Sequence, residues 1–145
     1  MADVHSREVR SYNMSQIKGK DTTPELIVRK FLHKNGFRFS LHSKDLPGKP
    51  DIVLSRRKTI VDVRGCFWHG HKNCKYGDQI TSQSEVITER VRSAILRDSS
   101  NEKNWKELGY KVIIVWDSCE LEARKKKSEN RDRVLANLLQ KLREV

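Results

Sequence analysis

Asp51, Asp62, Arg64, His69, His71, Cys74 and Cys119 carry most of the chemistry available to this 145-residue chain. Asp51 follows Pro50 and opens the apolar run Ile52-Val53-Leu54, while Asp62 and Arg64 lie in Val61-Asp62-Val63-Arg64, a second apolar run that breaks at Gly65. Mg²⁺ is a hard cation that takes one or two carboxylates plus substrate phosphate and keeps several waters. An acid, ten or more residues, then acid-x-base is the pattern of many metal-dependent nucleases. In those enzymes the acids hold the ion and the basic side chain steadies the attacked phosphate. Strand alternation puts the side chains of Asp62 and Val63 on opposite faces, so only one of them can point at Asp51. On pattern alone, a turn Asp and a surface Asp account for the same residues about equally well.

The loop after Gly65 holds two aromatics, two imidazoles and two thiols, Cys66-Phe67-Trp68-His69-Gly70-His71-Lys72-Asn73-Cys74. A neutral imidazole at His69 can take a proton from water or deliver one to a leaving oxygen; the plainer reading is a solvated loop histidine. His71-x-x-Cys74 has the short ligand spacing of a zinc knuckle but supplies half of a tetrahedral site. Cys119, just past a strand ending at Trp116, is the third candidate ligand, with an acid on the intervening helix as the fourth. The competing reading makes Cys74 and Cys119 small buried thiols. Phe67 and Trp68 are either a pair of wedges that unstack a base step or ordinary core aromatics.

These residues need a frame. Thr22-Thr23-Pro24-Glu25 reads as a helix start, with a hydroxyl cap, Pro in the first turn and an acid at the positive dipole end. Ile27, Val28, Phe31 and Leu32 give that helix one buried face, and Asn35-Gly36 stops it. Residues 37–41 alternate as a half-buried strand. Asp51 to Leu54 and Thr59 to Val63 read as two strands joined by the basic hairpin Ser55-Arg56-Arg57-Lys58. Glu85 to Leu108 reads as a long helix, residues 110–116 as a buried strand, and Val134, Leu135, Leu138, Leu139 and Leu142 as the apolar stripe of a last helix capped by Ser128 or Asn130. The predicted order is α-β-β-β-(metal loop)-α-β-α, a mixed sheet with helices on its faces. Residues 1–145 are expected to form one domain, with 1–20 a basic arm in which Met14 and Ile17 are the close helical pair, and 21–145 the core.

Lys and Arg outnumber Asp and Glu by 30 to 19, a formal net charge of +11, which predicts a polyanionic partner, most commonly nucleic acid. An anionic membrane surface is the rival partner. No basic amphipathic helix or apolar span of roughly 18 residues supports it, so no membrane role is expected. Residues 1–8 lack the apolar core of a secretory leader, and an odd count of three cysteines favours metal ligation over a disulfide frame. Both point to a reducing cytoplasm.

Several blocks together resemble the very short patch repair endonucleases: Asn13-Met14, Lys20-Asp21-Thr22 with Glu25, Leu46-Pro47-Gly48-Lys49-Pro50-Asp51, Gly65-Cys66-Phe67-Trp68-His69-Gly70-His71, Glu107-Leu108-Gly109-Tyr110, and Val115-Trp116 followed by Cys119. The resemblance runs from about residue 3 to residue 120. It implies an α/β fold with a restriction-endonuclease-like core of the PD-(D/E)XK type, a structural Zn²⁺, and a Mg²⁺-dependent nick in duplex DNA beside the thymine of a T:G mismatch left by 5-methylcytosine deamination. By the same resemblance Asp51 binds Mg²⁺, a backbone carbonyl at Val63 joins that shell, His69 is catalytic and Glu25 reaches the waters of the ion. His71, Cys74, Asp98 and Cys119 correspond to zinc ligands, and Phe67 and Trp68 to the wedge in DNA. Met14 and Ile17 are expected to contact DNA from the arm. A monomer suits an asymmetric lesion, acting in a bacterial cytoplasm at the nucleoid, with other mismatch-repair proteins as further partners.

The chain departs from the family pattern at four places. Arg64 stands where a histidine is usual, and an arginine stays protonated, so His69 is expected to carry proton transfer while Arg64 stabilises phosphate charge. Asp62 is an added acid. One extra residue precedes Cys74 and another precedes Cys119. A tryptophan expected near Val86-Ile87 is missing. Two rivals accompany the mismatch-nicking reading: a restriction-type nuclease that needs no mismatch, and a non-cutting, zinc-containing DNA-binding module.

Overall fold

The computed structural model describes residues 22–144. The basic arm, with Met14 and Ile17, lies outside them. In chain order the elements are α1 (Thr23–Lys34), β1 (Ser40–Leu41), β2 (Ile52–Leu54), β3 (Thr59–Arg64), α2 (Glu85–Glu107), β4 (Lys111–Trp116) and α3 (Glu129–Arg143), with short 3-10 turns at Ser55–Arg57 and Gly77–Ser82. The four strands lie side by side in the order β1-β2-β3-β4. The first two pairings are antiparallel and β3 runs parallel to β4, with α2 as the crossover between them.

Period-two alternation divides the core. Ile52, Leu54, Val61, Ile113 and Val115 face α1 and α3, where Val28, Leu32, Leu135, Leu138 and Leu142 meet them. Val53, Ile60 and Val112 face the other way and pack on Trp105 of α2. The result is a mixed α/β fold whose four-stranded sheet is flanked by helices on both faces. Trp105 is buried, and its indole N–H donates to the Pro47 carbonyl at 2.6 Å, tying α2 to the turn just before Asp51.

Two local expectations give way. Thr22 is the N-cap residue of α1 and has the extended backbone of a cap, but its hydroxyl makes no capping hydrogen bond. The strand expected over residues 37–41 shrinks to Ser40–Leu41. Ser40 pairs with Val53, so residues 37 and 38 would need partners past Leu54, where the chain has already turned. Phe37 is instead buried in the α1–α3 core cluster with the Arg57 guanidinium over its ring. Of the two candidate caps for α3, Ser128 serves: its hydroxyl accepts from the Arg131 N–H at 3.0 Å.

Candidate active site

The β2–β3 register brings the acids together. Ile52 pairs with Val61, so continuing the pairing by one residue sets Asp51 opposite Asp62, and residues directly opposite share a face. Val63 sends its side chain to the other face yet still contributes, because its backbone N–H donates to Asp51 Oδ2 at 3.0 Å. Asp62 and Val63 therefore both reach Asp51, one by side chain and one by main chain, where alternation alone had allowed one. The third acid comes from α1: Glu25 is buried, and its carboxylate lies near enough to act on Asp51. Burial and then the neighbouring Asp62 push the Asp51 carboxyl up from 3.8 to about 8, against the pull of the Val63 N–H.

His42 joins this group, although no motif singles it out. It ends β1 in a left-handed turn at φ +47°, with its backbone N–H donating to the Asp51 carbonyl at 3.1 Å. Its Nε2 is 3.2 Å from Glu25 Oε2 and its Nδ1 3.9 Å from Asp51 Oδ1. One donor atom from each of Glu25, His42 and Asp51 lies within 4.8 Å of the others, a set able to hold a metal ion. Three acids crowded on one buried spot are the electrostatic condition that a divalent cation relieves, so these donors fit one.

Arg64 continues from β3 toward α2. Its Nε donates to Asp62 Oδ2 at 2.9 Å and its Nη1 to Glu102 Oε1 at 2.8 Å, with Asp98 Oδ2 at 3.8 Å. The side chain is 6% exposed, and its Nη2 is buried without a hydrogen-bond partner among the described residues. Asp98 then reaches His69, with Oδ2 2.6 Å from Nδ1. A carboxylate on Nδ1 fixes the ring so that Nε2 is the nitrogen left for proton transfer. A continuous polar chain, Asp51–Asp62–Arg64–Asp98–His69, thus links the two residues expected to serve the same phosphodiester.

The Cys/His loop folds on itself through three main-chain bonds: His69 N–H to Gly65 O, Gly70 N–H to Phe67 O and His71 N–H to Cys66 O. Cys66, His71, Cys74 and Cys119 bring one ligand atom each within 4.8 Å of the others. Cys66 Sγ lies 3.6 Å from Cys119 Sγ, and Cys119 Sγ lies 3.4 Å from His71 Nδ1. A tetrahedron with Zn–S bonds of about 2.3 Å has edges of about 3.8 Å, so three thiols and an imidazole at this spacing fit Zn²⁺. Asp98 is not among them. It contacts His69, and the fourth atom of the cluster is the sulfur of Cys66, buried two residues past the end of β3. Asn73, just before Cys74, turns the loop back at φ +55°. Gly77 matters here too, because a Cβ at that position would sit 2.1 Å from the His71 carbonyl oxygen. The His71 ring stacks on Trp116 with centroids 3.8 Å apart.

Burial raises the thiols of Cys66 and Cys119 above their ordinary values. Burial also works against ionising Cys74, but the Gly77 and Tyr76 amides outweigh it and hold that thiol low. Phe67 and Trp68 meet edge to face at 5.0 Å and belong to neither core cluster. Trp68 is 46% exposed, with the Arg90 guanidinium 5.4 Å from its ring centre.

The sequence pattern of the family described as DNA mismatch endonuclease Vsr matches residues 2–75. The chain is 44% identical over 121 residues to the type II nicking enzyme V.NmeAIP of Neisseria meningitidis, covering 83% of this chain and 85% of that one. It is 43% identical over 121 residues to the type II nicking enzyme V.XorIIP of Xanthomonas oryzae, covering 83% and 88%. It is 35% identical over 126 residues to the DNA mismatch endonuclease Vsr of Escherichia coli, covering 87% and 80%. Among the described residues no helix is long and apolar enough to cross a membrane.

Proposed function

The chain belongs to the DNA mismatch endonuclease Vsr family and is a DNA-nicking endonuclease, and we propose that it nicks one strand of duplex DNA beside the thymine of a T:G mismatch. The observation that carries this reading is the continuous network from Asp51 to His69, which joins a candidate cation site and a proton-transfer group at one end of the central strands β2 and β3. The core is read as restriction-endonuclease-like, with residues 1–145 acting as a single domain behind a basic arm. On this reading Met14 and Ile17 help hold DNA, and the chain works as a monomer at the bacterial nucleoid.

Mg²⁺ is the expected ion, held by Asp51 with the main chain at Val63 beside it; a divalent cation there would draw charge from the scissile phosphate and make water easier to ionise. Glu25 and Asp62 complete the acidic wall around that spot. His69 accepts or delivers a proton at Nε2 while Asp98 holds Nδ1, so the ring neither rotates nor changes tautomer. Arg64 stays charged, and from its buried position its field offsets developing negative charge on the phosphate. Cys66, His71, Cys74 and Cys119 would hold a structural Zn²⁺, which would tie the loop after β3 to the segment after β4 and fix the loop that carries His69 and the Phe67-Trp68 pair. With Trp68 exposed and outside the core, the wedge role suits the two aromatics better than packing does.

Two of the relatives are named nicking enzymes without mention of a mismatch, which keeps the restriction-type rival in play. Short duplexes with a central T:G, T:A or C:G pair, incubated with Mg²⁺ or with chelator, separate the readings. Mismatch nicking predicts Mg²⁺-dependent cleavage of the T:G duplex alone; equal cutting of the paired duplexes would contradict it.

A further inference from the structure

The acids of the cation site would supply oxygen ligands, and the structure sets a nitrogen among them. We propose that His42 is a direct ligand of the same cation as Asp51 and Glu25, making a two-carboxylate, one-imidazole site that prefers Mn²⁺ or another first-row divalent metal to Mg²⁺. This inference rests on reading Asp51 as the nuclease cation site.

His42 is placed there by the backbone. The N–H of His42 donates to the Asp51 carbonyl, so the two residues move together, and the turn at φ +47° swings the ring toward α1. Its two nitrogens lie 3.2 Å from Glu25 and 3.9 Å from Asp51. Octahedral bonds of about 2.1 Å give donor separations of about 3 Å along an edge and about 4.2 Å across the ion. Three donors mutually within 4.8 Å therefore need only small rotations to close on one ion. Glu25 has little room to withdraw, since its side chain is 3% exposed on the buried face of α1.

An imidazole in the shell changes which ion is bound. Mg²⁺ favours oxygen and releases water reluctantly, whereas nitrogen donors raise affinity for first-row transition ions. A protonated His42 could instead pair with both acids as a stand-in cation, and it would then leave the site when a metal enters. The two arrangements differ in one observable, a nitrogen bonded to the ion.

Pulsed electron paramagnetic resonance on the zinc-loaded full chain with one equivalent of Mn²⁺ reads this directly. The wild-type protein should show nitrogen coupling to Mn²⁺ that changes on ¹⁵N-histidine labelling, is lost in His42→Gln and persists in His69→Gln. The ratio of Mg²⁺ to Mn²⁺ dissociation constants should fall at least tenfold in His42→Gln, with His42→Asn as a second variant should the first not fold. Bound Mn²⁺ without nitrogen coupling in the wild-type protein, or coupling that survives loss of His42, overturns the inference while leaving the cation site intact. Failure of the wild-type protein to bind Mn²⁺ any better than Asp51→Asn would remove the cation site itself.

Discussion

Asp98 Oδ2 stands 2.6 Å from His69 Nδ1, joining the middle of α2 to the loop after β3. The contact makes Asp98 an orienting partner of the His69 imidazole, the proposed proton-transfer group. Replacing it with Asn keeps the shape but removes the charge and permits the wrong tautomer. We expect Asp98→Asn to lower single-turnover nicking by about 10²–10⁴-fold, with DNA affinity and zinc content unchanged. Loss of zinc in that variant would return Asp98 to the metal centre.

Cys66 makes the complementary prediction. Purified protein should contain about one Zn²⁺ per chain by metal analysis. Cys66→Ser should reduce that content sharply and lower the melting temperature, because a buried thiol two residues past β3 leaves the donor set. A Cys66→Ser protein with full zinc and wild-type melting would contradict the assignment.

Asp51 predicts how stability responds to pH. Its carboxyl is raised from 3.8 to about 8, so between those values the folded chain holds a proton that the unfolded chain has released. The stabilisation is complete below about pH 4 and is lost as pH rises through about 8. Asp51→Asn has no such proton to lose. In zinc-loaded protein free of other divalent ions, the variant's melting temperature should gain on the wild type between pH 5 and pH 9, and saturating Mn²⁺ should narrow the gap. A gap independent of pH would show that Asp51 is not crowded by the other acids.

Trp68 is exposed beside Phe67, so its removal should cost the fold little and the DNA complex more. Stacking on a base contributes about 1–3 kcal/mol, which predicts that Trp68→Ala weakens binding to a T:G duplex by about 5–150-fold with an unchanged melting temperature. A large drop in melting temperature would place Trp68 in the core.

Much of the frame was legible in the sequence. The apolar periodicities of residues 27–32 and 134–142 set two helices, and the β-rich runs around Val53, Val61 and Ile113 set three strands, because each element buries one face against its neighbours. The rest turns on the third dimension. A carboxylate on a long helix carries no mark of which loop it faces: spacing offers the zinc an unnamed acid on the intervening helix, the family resemblance implies Asp98, and the structure sets Asp98 against His69. Cys66 counts among the loop thiols but not among the expected zinc ligands; the available signal is that the three cysteines and His71 together supply four donors. His42 and Glu102 lie in a turn and on an open helix face, and only the folding of β1 and α2 onto the sheet brings them to Asp51 and Arg64.

Asp51 bears most directly on the whole account, because the cation, the network and the nick all depend on it. Single-turnover nicking of a T:G duplex by Asp51→Asn, at protein concentrations that saturate the DNA, is the measurement of choice. We predict a loss of at least about 10³-fold, the scale of removing a principal charge-stabilising group, with DNA affinity equal to or tighter than wild type because the site becomes less anionic. Nicking at the wild-type rate would contradict the assigned site.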